Sequence, residues 1–413
     1  MKRAHVIGAG LAGLSASIAL SKAGYAVRLS EGAPHAGGRC RSYHDPQLGM
    51  LIDNGNHLVL SGNRAIERYL ATIGASDRLV GPGEARFTFV DLDGERLWTL
   101  RPNAAALPWW IFSKARRAPD TRPADYLALL RLLRAGSEEK VGEIIPASDA
   151  LWKRLLDPFL IAALNTPSAE GSARLAGQVI RETLARGGHA YRPRIASPNL
   201  GAAFIDPALA WLEGQRGSIR LRRRLRTIGF GGDHVASLDF GDETDAVAPG
   251  EPVVLAVPPW VASTLLPGLT VPTEHHAIVN AHFRIDSPAG ADPMIGVLGG
   301  TAEWIFTFDD RISVTISAAD ALVAEDRERL AKRIWSDVAA IHGLPLELPP
   351  WQIVIEKRAT FAATPAQDRL RPGTRTRWRN LFLAGDWTQT GLPATIEGAI
   401  RSGETAATEA KRI

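Results

Sequence analysis

The chain is short of cysteine and has no long apolar run. Cys40 is the single cysteine in 413 residues, which excludes an internal disulfide framework, and no metal-ligand spacing surrounds it. We expect Cys40 to be a small core residue in a reducing compartment. No stretch approaches the roughly 18 apolar residues that a membrane span requires. Because the N-terminus leads directly into a strand pattern rather than a secretory leader, we expect a cytoplasmic protein.

The chain also has little excess of positive over negative charge. The formal net charge is only +4, a mild excess that gives no reason to expect a nucleic-acid partner. Hydrophobic residues make up 45% of the chain, so a large core can be buried, and the length favours two domains over one.

A glycine-rich segment near the N-terminus carries the first functional signal. Residues 4–7 predict a strand, a helical stretch runs to Gly24, and residues 26–30 predict a second strand that ends at Glu31. The turn between the first strand and the helix reads Gly8-Ala9-Gly10-Leu11-Ala12-Gly13. Strand, glycine-rich turn, helix and strand form the context that a dinucleotide motif requires, with the pyrophosphate at the helix N-terminus. Glu31 is then expected to accept hydrogen bonds from a ribose.

Two further signals favour FAD over NAD. The turn Gly37-Gly38-Arg39 places a guanidinium where it could reach the pyrophosphate. Near the C-terminus, residues 381–384 predict a strand that ends in Gly385-Asp386, and residues 395–410 predict a helix. Asp386 could hold the ribityl chain or ribose hydroxyls, while the N-terminus of that helix could stabilise negative charge on a reduced flavin ring.

With these residues assembled, the chain resembles the flavin amine oxidase and phytoene desaturase superfamily. Within it, the hydroxysqualene dehydroxylases of hopanoid clusters are the most similar group. The narrower resemblance lies in three strings, which are Asp53-Asn54-Gly55-Asn56-His57-Leu58, Leu164-Asn165-Thr166-Pro167 and Gly391-Leu392-Pro393-Ala394-Thr395-Ile396-Glu397-Gly398-Ala399. Asn56 departs from the Gln expected there, although an amide is retained.

The resemblance implies an α/β fold, with a Rossmann-like FAD-binding domain and an interleaved α+β substrate domain. The FAD-binding domain is expected at 1–74, 200–260 and 368–413, and the substrate domain at 75–199 and 261–367. It also implies non-covalent FAD, since the C-terminal motif lacks cysteine. The expected cofactor-binding residues are Gly8, Gly10, Leu11, Ala12, Gly13, Glu31, Gly37, Gly38, Arg39, Asn54, Gly55, Asn56, His57, Leu225, Gly385, Asp386, Ala394, Thr395 and Ile396.

Several middle segments predict strands. Residues 219–228 are expected to form one strand, 235–240 its hairpin partner and 253–257 an apolar strand, with further strands at 312–316 and 353–356. By resemblance, Leu225 would contact the adenine through its backbone. The five arginines within 220–226 are interpreted as the charged face of a strand.

The reaction implied by the resemblance is the reductive removal of an allylic hydroxyl from hydroxysqualene, which gives squalene. It needs a proton for the leaving oxygen, a hydride from reduced flavin and an apolar wall that excludes water. His57 and Glu397 are the candidate proton donors. His57 could instead orient its loop, Glu397 could instead cap a helix, and Asp53 could fix the loop.

The segment 107–117 combines aromatic and basic residues, and residues 126–133 follow with a helical pattern. Such a segment could lie at a membrane surface, or it could be a packed helix with a solvated basic loop. A membrane-surface segment would give the protein a peripheral place on the inner membrane. The resemblance implies a polyprenoid substrate and a functional association with squalene- or hydroxysqualene-synthase-like enzymes.

Three other functions fit parts of the sequence. A phytoene-type desaturase would use the flavin in the opposite direction on a similar polyene. An amine oxidase is disfavoured because no paired tyrosines follow Trp387. A flavin-free escort of prenylated GTPases is disfavoured because Glu31 and Asp386 are both present.

Overall fold

The computed structural model describes residues 2–413, which form 20 β-strands and 11 α-helices. The strands are β1 (Arg3–Ile7), β2 (Ala26–Ser30), β3 (Ser42–Asp45), β4 (Met50–Asp53), β5 (Val59–Leu60), β6 (Leu79–Val80), β7 (Phe87–Asp91), β8 (Arg96–Leu100), β9 (Pro193–Ala196), β10 (Gly217–Arg220), β11 (Thr227–Gly231), β12 (His234–Asp239), β13 (Thr244–Ala246), β14 (Val253–Leu255), β15 (His275–Arg284), β16 (Met294–Leu298), β17 (Trp304–Phe308), β18 (Arg311–Ile316), β19 (Trp351–Phe361) and β20 (Leu381–Leu383). The helices are α1 (Leu11–Lys22), α2 (Arg64–Ile73), α3 (Ala128–Leu132), α4 (Val141–Ile144), α5 (Asp157–Leu164), α6 (Ala173–Glu182), α7 (Asp206–Glu213), α8 (Pro259–Leu265), α9 (Arg327–His342), α10 (Pro365–Arg369) and α11 (Ile396–Ala410).

A five-stranded parallel sheet carries the glycine-rich turn. Its order is β10-β2-β1-β14-β20, so strands from both ends and the middle of the chain lie side by side. Strands β14 and β20 are apolar and fully buried, and four of the five residues of β1 are buried, as parallel strands covered on both faces require. Helices α1 and α11 cross closely, since a Cβ on Gly403 would lie only 2.2 Å from the carbonyl oxygen of Ala12.

A seven-stranded sheet lies in the order β19-β15-β18-β17-β16-β7-β8. One face packs against α9, where Trp335 and Phe283 lie in one apolar cluster. The opposite face belongs to a second cluster, which includes Trp304 and Phe89 together with residues of α5 and α6. The strands predicted at 312–316 and 353–356 are confirmed as parts of β18 and β19.

The predicted strand at 219–228 is wrong. The chain leaves the parallel sheet after β10 and starts β11 in a different, three-stranded sheet with β12 and β13. Arg222 interrupts the extended backbone, because it lies in the left-handed region with φ of 58°. Arg223 lies after β10 and binds Asp245 of β13 at 2.8 Å, so this arginine links the two sheets and is not part of a charged strand face. The hairpin partner at 235–240 is confirmed as β12.

Two other predicted elements are shorter than expected. The apolar strand at 253–257 ends at Leu255, and the helical pattern at 126–133 divides into a 3-10 turn, Pro123–Leu127, followed by α3. The α/β fold with its Rossmann-like sheet and a second mixed part is confirmed. The domain boundaries stay predictions. No helix among residues 2–413 has the length and apolar character to span a membrane.

Candidate flavin and substrate site

The glycine-rich turn contains two glycines in close contact with backbone carbonyl groups and one glycine beside open space. Gly8 has φ of 104°, and a Cβ there would lie 2.4 Å from the carbonyl oxygen of Ala256. A Cβ on Gly13 would lie 1.8 Å from the carbonyl oxygen of Gly8, whereas one on Gly10 would meet no atom within 4 Å. Side chains are therefore excluded at Gly8 and Gly13, and the space beside Gly10 is open.

Helix α1 begins at this opening without a side-chain cap. Its first intrahelical bond runs from the N–H of Leu14 to the carbonyl of Gly10. The N–H groups of Leu11, Ala12 and Gly13 precede that bond and are the donors that a helix N-terminus offers to an anion. Open space and these donors together fit the pyrophosphate of FAD.

Glu31 lies just after β2 and is held in place by two backbone groups. Its Oε2 accepts from the N–H of Ala9 at 2.7 Å, and its Oε1 accepts from the N–H of Ala33 at 2.8 Å. Each carboxylate oxygen can accept a further hydrogen bond. Glu31 is therefore fixed beside the glycine-rich turn with acceptor capacity left for ribose hydroxyls.

Arg39 and Asp386, predicted as separate cofactor residues, contact each other. Nη2 of Arg39 donates to both carboxylate oxygens of Asp386 at 2.7 Å, and Nη1 donates to the carbonyl of Ala359 in β19. Burial opposes the charge of Arg39, but Asp386 more than offsets this, and the pKa of Arg39 is raised. The structure places this guanidinium between Asp386 and the seven-stranded sheet, and its contact with the pyrophosphate stays a prediction.

The C-terminal motif continues from this pair. Gly385 is needed because a Cβ there would lie 2.3 Å from Nε1 of Trp387. Thr395 caps α11, since its hydroxyl accepts from the N–H of Gly398 at 3.1 Å. Ala394 and Ile396 flank this cap, so the three predicted residues lie at the start of the helix, as expected.

The loop after β4 is held by two residues that the sequence analysis missed. Nδ2 of Asn280 donates to the carbonyl of Asn54 at 3.2 Å, and Nδ2 of Asn56 donates to the hydroxyl of Thr315 at 3.0 Å. The hydroxyl of Thr315 in turn donates to Asn280 Oδ1 at 2.8 Å. Oδ1 of Asn54 is buried without a partner among residues 2–413, which fits a position awaiting a donor from a bound group. A signal for Asn280 was available, namely a lone amide within the apolar pattern of β15.

Gly55 and Asp53 fix the rest of this loop. A Cβ on Gly55 would lie 3.0 Å from Nδ2 of Asn280, so the loop and β15 are in close contact. The carboxylate of Asp53 accepts from the hydroxyl of Ser42 and from the N–H of Leu200 at 3.0 Å. These contacts favour the loop-fixing role for Asp53.

His57 does not have the near-neutral pKa expected from its type. Burial lowers its pKa to about 4, and the charge of Arg39 acts in the same direction. The imidazole is therefore neutral at pH 7 and lacks the proton of an imidazolium. This result favours an orienting role for His57.

Glu397 has contacts that fit a structural role. Its two carboxylate oxygens accept from the N–H groups of Ala65 and Ile66 at 3.1 and 3.0 Å, at the start of α2, and Oε1 also binds Arg401 at 2.8 Å. Helix capping was the alternative role predicted from the sequence for this carboxylate. The helix that it caps is α2 rather than its own.

The Leu164–Pro167 motif lies next to the Arg39 contact. Asn165 ends α5 in the left-handed region with φ of 46°. Its Oδ1 accepts from the N–H of Ala318 at 2.7 Å, and its Nδ2 donates to the hydroxyl of Thr360 at 2.9 Å. Because Thr360 follows Ala359 in β19, this asparagine fixes the strand that Arg39 binds.

One row of side chains crosses the seven-stranded sheet outward from residues 54–58, the loop after β4. We call this loop the flavin loop, because cofactor contacts are predicted there. Directly paired residues of neighbouring strands point to the same face, and the row reads Asn280, Thr315, Trp304, Gly296, Phe89 and Trp98. Phe89 contacts Trp98 at 5.5 Å and Trp304 at 5.6 Å between ring centroids. A Cβ on Gly296 would lie 2.6 Å from Phe89, so glycine makes room for the aromatic rings. The row changes from polar at the Asn56 contact to aromatic beyond it.

Glu303 is a carboxyl beside this row that the sequence analysis also missed. Its Oε2 accepts from the N–H of Ser317 at 2.7 Å, and it directly precedes Trp304. Burial raises its pKa to about 7, and Asp157 adds to the shift. Glu303 therefore carries a proton in a large fraction of molecules at neutral pH.

Leu225 and Cys40 are both buried. Leu225 lies in the loop between β10 and β11, directly before Arg226, whose N–H bonds the carbonyl of Asp239. Cys40 is packed with Ala36 and Phe204 in the apolar cluster under the parallel sheet, which confirms its prediction as a small core residue.

A family model described as flavin containing amine oxidoreductase matches residues 11–411. The chain belongs to the flavin containing amine oxidoreductase family. It is 52% identical to a hydroxysqualene dehydroxylase of Sinorhizobium fredii, with 98% of this chain and 97% of that protein covered. It is 51% identical to a hydroxysqualene dehydroxylase of Zymomonas mobilis, with 98% of each covered.

The fold has close counterparts among solved structures. An oxidoreductase from Methanosarcina mazei superposes with a TM-score of 0.72 at 16% identity, over 98% of this chain and 99% of that one. At that identity the likeness shows the fold alone. Membership of the family confirms that the protein is an FAD-dependent oxidoreductase.

Proposed function

We propose that this protein catalyses the FAD-dependent reductive dehydroxylation of hydroxysqualene to squalene, within squalene and hopanoid biosynthesis. The two relatives at about half identity, both named for this activity, support the proposal. The structural observation that carries it is the row from Thr315 to Trp98, which leads from the loop after β4 into a buried aromatic cluster and would serve as an apolar wall for the substrate. A polyprenoid has almost no polar groups that could form hydrogen bonds, so its binding site must consist mainly of apolar surface.

The residues that would hold FAD are proposed from the geometry above. The N-terminus of α1 would bind the pyrophosphate and Glu31 a ribose, while Leu225 would contact adenine through its backbone. Gly37 and Gly38 would let the chain pass close to the dinucleotide, since both have positive φ, 108° and 58°. The remaining contacts would come from the Arg39–Asp386 pair, from Asn54, Gly55, Asn56 and His57, and from Ala394, Thr395 and Ile396 at the start of α11.

In the proposed reaction the allylic C–O bond breaks, the oxygen leaves as water with an added proton, and a hydride joins the carbon. FAD in its reduced form supplies the hydride when bound. The aromatic faces of Trp304 and Phe89 would stabilise positive charge that develops on the allylic carbon. The apolar wall would exclude water, which otherwise competes for that carbon.

Glu303 is a better candidate for the proton donor than His57 and Glu397, the two residues proposed from the sequence. A carboxyl with a pKa of about 7 can both hold and release a proton near neutrality. His57 is neutral at that pH, and Glu397 is bound to Arg401 and to two backbone N–H groups. We therefore propose Glu303 as the source of the proton.

The supply of a water-insoluble substrate belongs to the same proposal. Squalene- or hydroxysqualene-synthase-like enzymes would make the substrate, and a peripheral place on a membrane would give access to it. A phytoene-type desaturase remains the competing function, because it would use a similar wall with the flavin reaction reversed.

The absorbance spectrum of the flavin, recorded without oxygen, distinguishes the dehydroxylase from the desaturase. The purified holoprotein is reduced, hydroxysqualene is added, and the flavin absorbance is followed while the lipid is extracted. Reoxidation with squalene formed is expected. A reduced flavin that does not react, together with an oxidised flavin that phytoene bleaches, would move the assignment to a desaturase, and a colourless protein would favour the escort function.

A further inference from the structure

The segment 107–134 concentrates positive charge. It contains six basic residues, Lys114, Arg116, Arg117, Arg122, Arg131 and Arg134, and two acidic residues, Asp120 and Asp125. Its net charge of +4 equals that of the entire chain, so the other residues together are neutral. The segment is therefore strongly basic, as is 220–226 with its five arginines, and acidic residues elsewhere in the sequence balance the rest of the positive charge.

The same segment concentrates exposed apolar side chains. Residues 2–413 include eleven large apolar side chains that are strongly exposed, and five of them are Leu107, Trp109, Phe112, Leu127 and Leu130. Trp109 is 65% and Phe112 62% exposed, although such side chains are normally buried. We call these five residues, together with Lys114, Arg116, Arg131 and Arg134, the basic-apolar patch.

The patch rests on a fixed base. Trp110 and Tyr126 are buried and pack edge to face at 5.2 Å, which joins the turn at 109–112 to the turn at 123–127. The N–H of Ala118 donates to the hydroxyl of Tyr126 at 3.1 Å, and the N–H of Trp110 donates to Oδ1 of Asn103 at 3.1 Å. The exposed residues flank these anchored ones, so the fold itself directs them outward.

The positive charges of the patch are not neutralised within the described chain. Among residues 2–413, none of its four basic side chains forms an ion pair with a carboxylate. The two nearby acids are engaged elsewhere, Asp120 with Arg96 and Asp125 with the backbone N–H of Arg122. Aromatic and aliphatic side chains beside free cations match the chemistry of an anionic lipid surface, where apolar groups enter the headgroup boundary and cations meet phosphate.

We propose that the basic-apolar patch docks on the surface of an anionic phospholipid bilayer. Behind the patch, Trp110, Tyr126 and Leu132 belong to the same continuous apolar cluster as Trp304 and Trp387. That cluster links the docking surface to the aromatic row and to the residue that follows Asp386. This link explains why a lipid surface would serve the enzyme, and it rests on the proposed function, whereas the docking itself does not.

Vesicle flotation of the flavin-loaded full chain tests the docking. We expect the wild type to float with vesicles that contain about 30% phosphatidylglycerol in phosphatidylcholine, and not with phosphatidylcholine alone. Two variants alter one component of the patch each. Trp109→Ser with Phe112→Ser removes its two aromatic side chains, and Lys114→Gln with Arg116→Gln, Arg131→Gln and Arg134→Gln removes its four cations. Each should reduce the floated fraction at least about fivefold.

The controls make the same chemical changes elsewhere. Leu346→Ser removes a side chain that is 74% exposed, and Lys22→Gln with Lys153→Gln, Lys357→Gln and Lys411→Gln removes four exposed cations outside the patch. Both should float like the wild type, and an unchanged flavin spectrum and melting temperature would show that every variant is folded.

Three results would overturn the proposal. They are a wild type that binds neutral and anionic vesicles equally, patch variants that float like the wild type, and a wild-type dimer that the patch variants convert to monomer. The last result would mean that a second copy of the chain covers the patch. Flotation needs no turnover, so an enzyme that is inactive on hydroxysqualene but floats would reject only the proposed function.

Discussion

The guanidinium of Arg39 and the carboxylate of Asp386 are joined by two hydrogen bonds of 2.7 Å across 347 positions of sequence. Arg39 also binds the carbonyl of Ala359. One arginine thus connects the glycine-rich region, the C-terminal motif and the seven-stranded sheet. We expect the position of the flavin relative to the proposed substrate wall to depend on this connection.

Asp386→Asn is expected to weaken FAD binding about tenfold, which corresponds to about 1.4 kcal/mol. The change leaves the charge of Arg39 without its partner and loosens the junction of the two sheets. Titration of the apoprotein with FAD, followed by flavin fluorescence, measures the effect. Asp310→Asn, which alters the exposed partner of Arg311, should bind FAD like the wild type. An Asp386→Asn protein with wild-type affinity would show that the pair does not support the cofactor.

Glu397→Gln is expected to lower the free energy of unfolding by about 2 kcal/mol and to leave kcat nearly unchanged. The buried carboxylate caps α2 and binds Arg401, so its loss should lower the free energy of unfolding. Glu404→Gln removes an exposed pair with Arg68 and should change stability little. Thermal denaturation and turnover of the FAD-loaded proteins are the measurements. A folded Glu397→Gln enzyme with kcat reduced a hundredfold would instead make Glu397 the proton donor.

His57→Asn is expected to reduce kcat by less than about tenfold, whereas loss of a general acid typically costs a factor of roughly 10² to 10⁴. The reason is the pKa of about 4, which leaves His57 neutral at working pH. The wild-type profile of kcat against pH should accordingly show no ionisation of this residue near pH 6.5. A large loss of kcat in His57→Asn with full FAD occupancy would restore His57 as the acid.

Glu303→Gln is expected to abolish most of the turnover and to change the pH dependence of stability. The folded pKa of about 7 lies above the ordinary 4.5, so the neutral carboxyl is favoured in the folded state. This residue therefore contributes stability that is complete below pH 4.5 and is lost as pH rises through 7, on the order of 3 kcal/mol. Urea denaturation between pH 4.5 and 8 should show a flatter curve for the variant. If the Glu303→Gln enzyme turned over at the wild-type rate, Glu303 would be excluded as the proton source.

Trp304→Phe is expected to lower kcat/KM for the polyprenoid about tenfold, because it reduces the aromatic surface beside the flavin loop. Trp335→Phe is the matched control, since Trp335 packs on Phe283 at 5.0 Å on the opposite face of the same sheet. That control should lower stability and leave kcat/KM unchanged. Equal effects of the two changes on kcat/KM would mean that Trp304 only fills the core.

Local patterns in the sequence predicted the glycine-rich turn and the strand and helix of the C-terminal motif. The turn at Gly8, Gly10 and Gly13 could be predicted because its geometry is set by neighbours in sequence and by the absence of side chains. The pairing of Arg39 with Asp386 could not, since both were assigned to the cofactor separately and only the folded sheet brings them together. The strand predicted at 219–228 failed because Arg222 adopts a left-handed backbone that no composition rule indicates.

The proposed substrate wall could not be predicted from sequence patterns. The row from Asn280 to Trp98 depends on the register of six strands, and a shift by one residue would turn each side chain to the other face. Glu303 was missed for a related reason. Its raised pKa comes from burial and from Asp157 on α5, neither of which is encoded near position 303.

Transfer of the flavin hydride to the substrate carbon can be measured directly with deuterium. The enzyme is reduced anaerobically in D₂O, where the transferable hydrogen of reduced flavin exchanges with solvent, and one turnover of hydroxysqualene is analysed by mass spectrometry. We expect one deuterium in the squalene, at the carbon that carried the hydroxyl, for each flavin reoxidised. Squalene without deuterium, or flavin reoxidation without squalene, would contradict the proposed function.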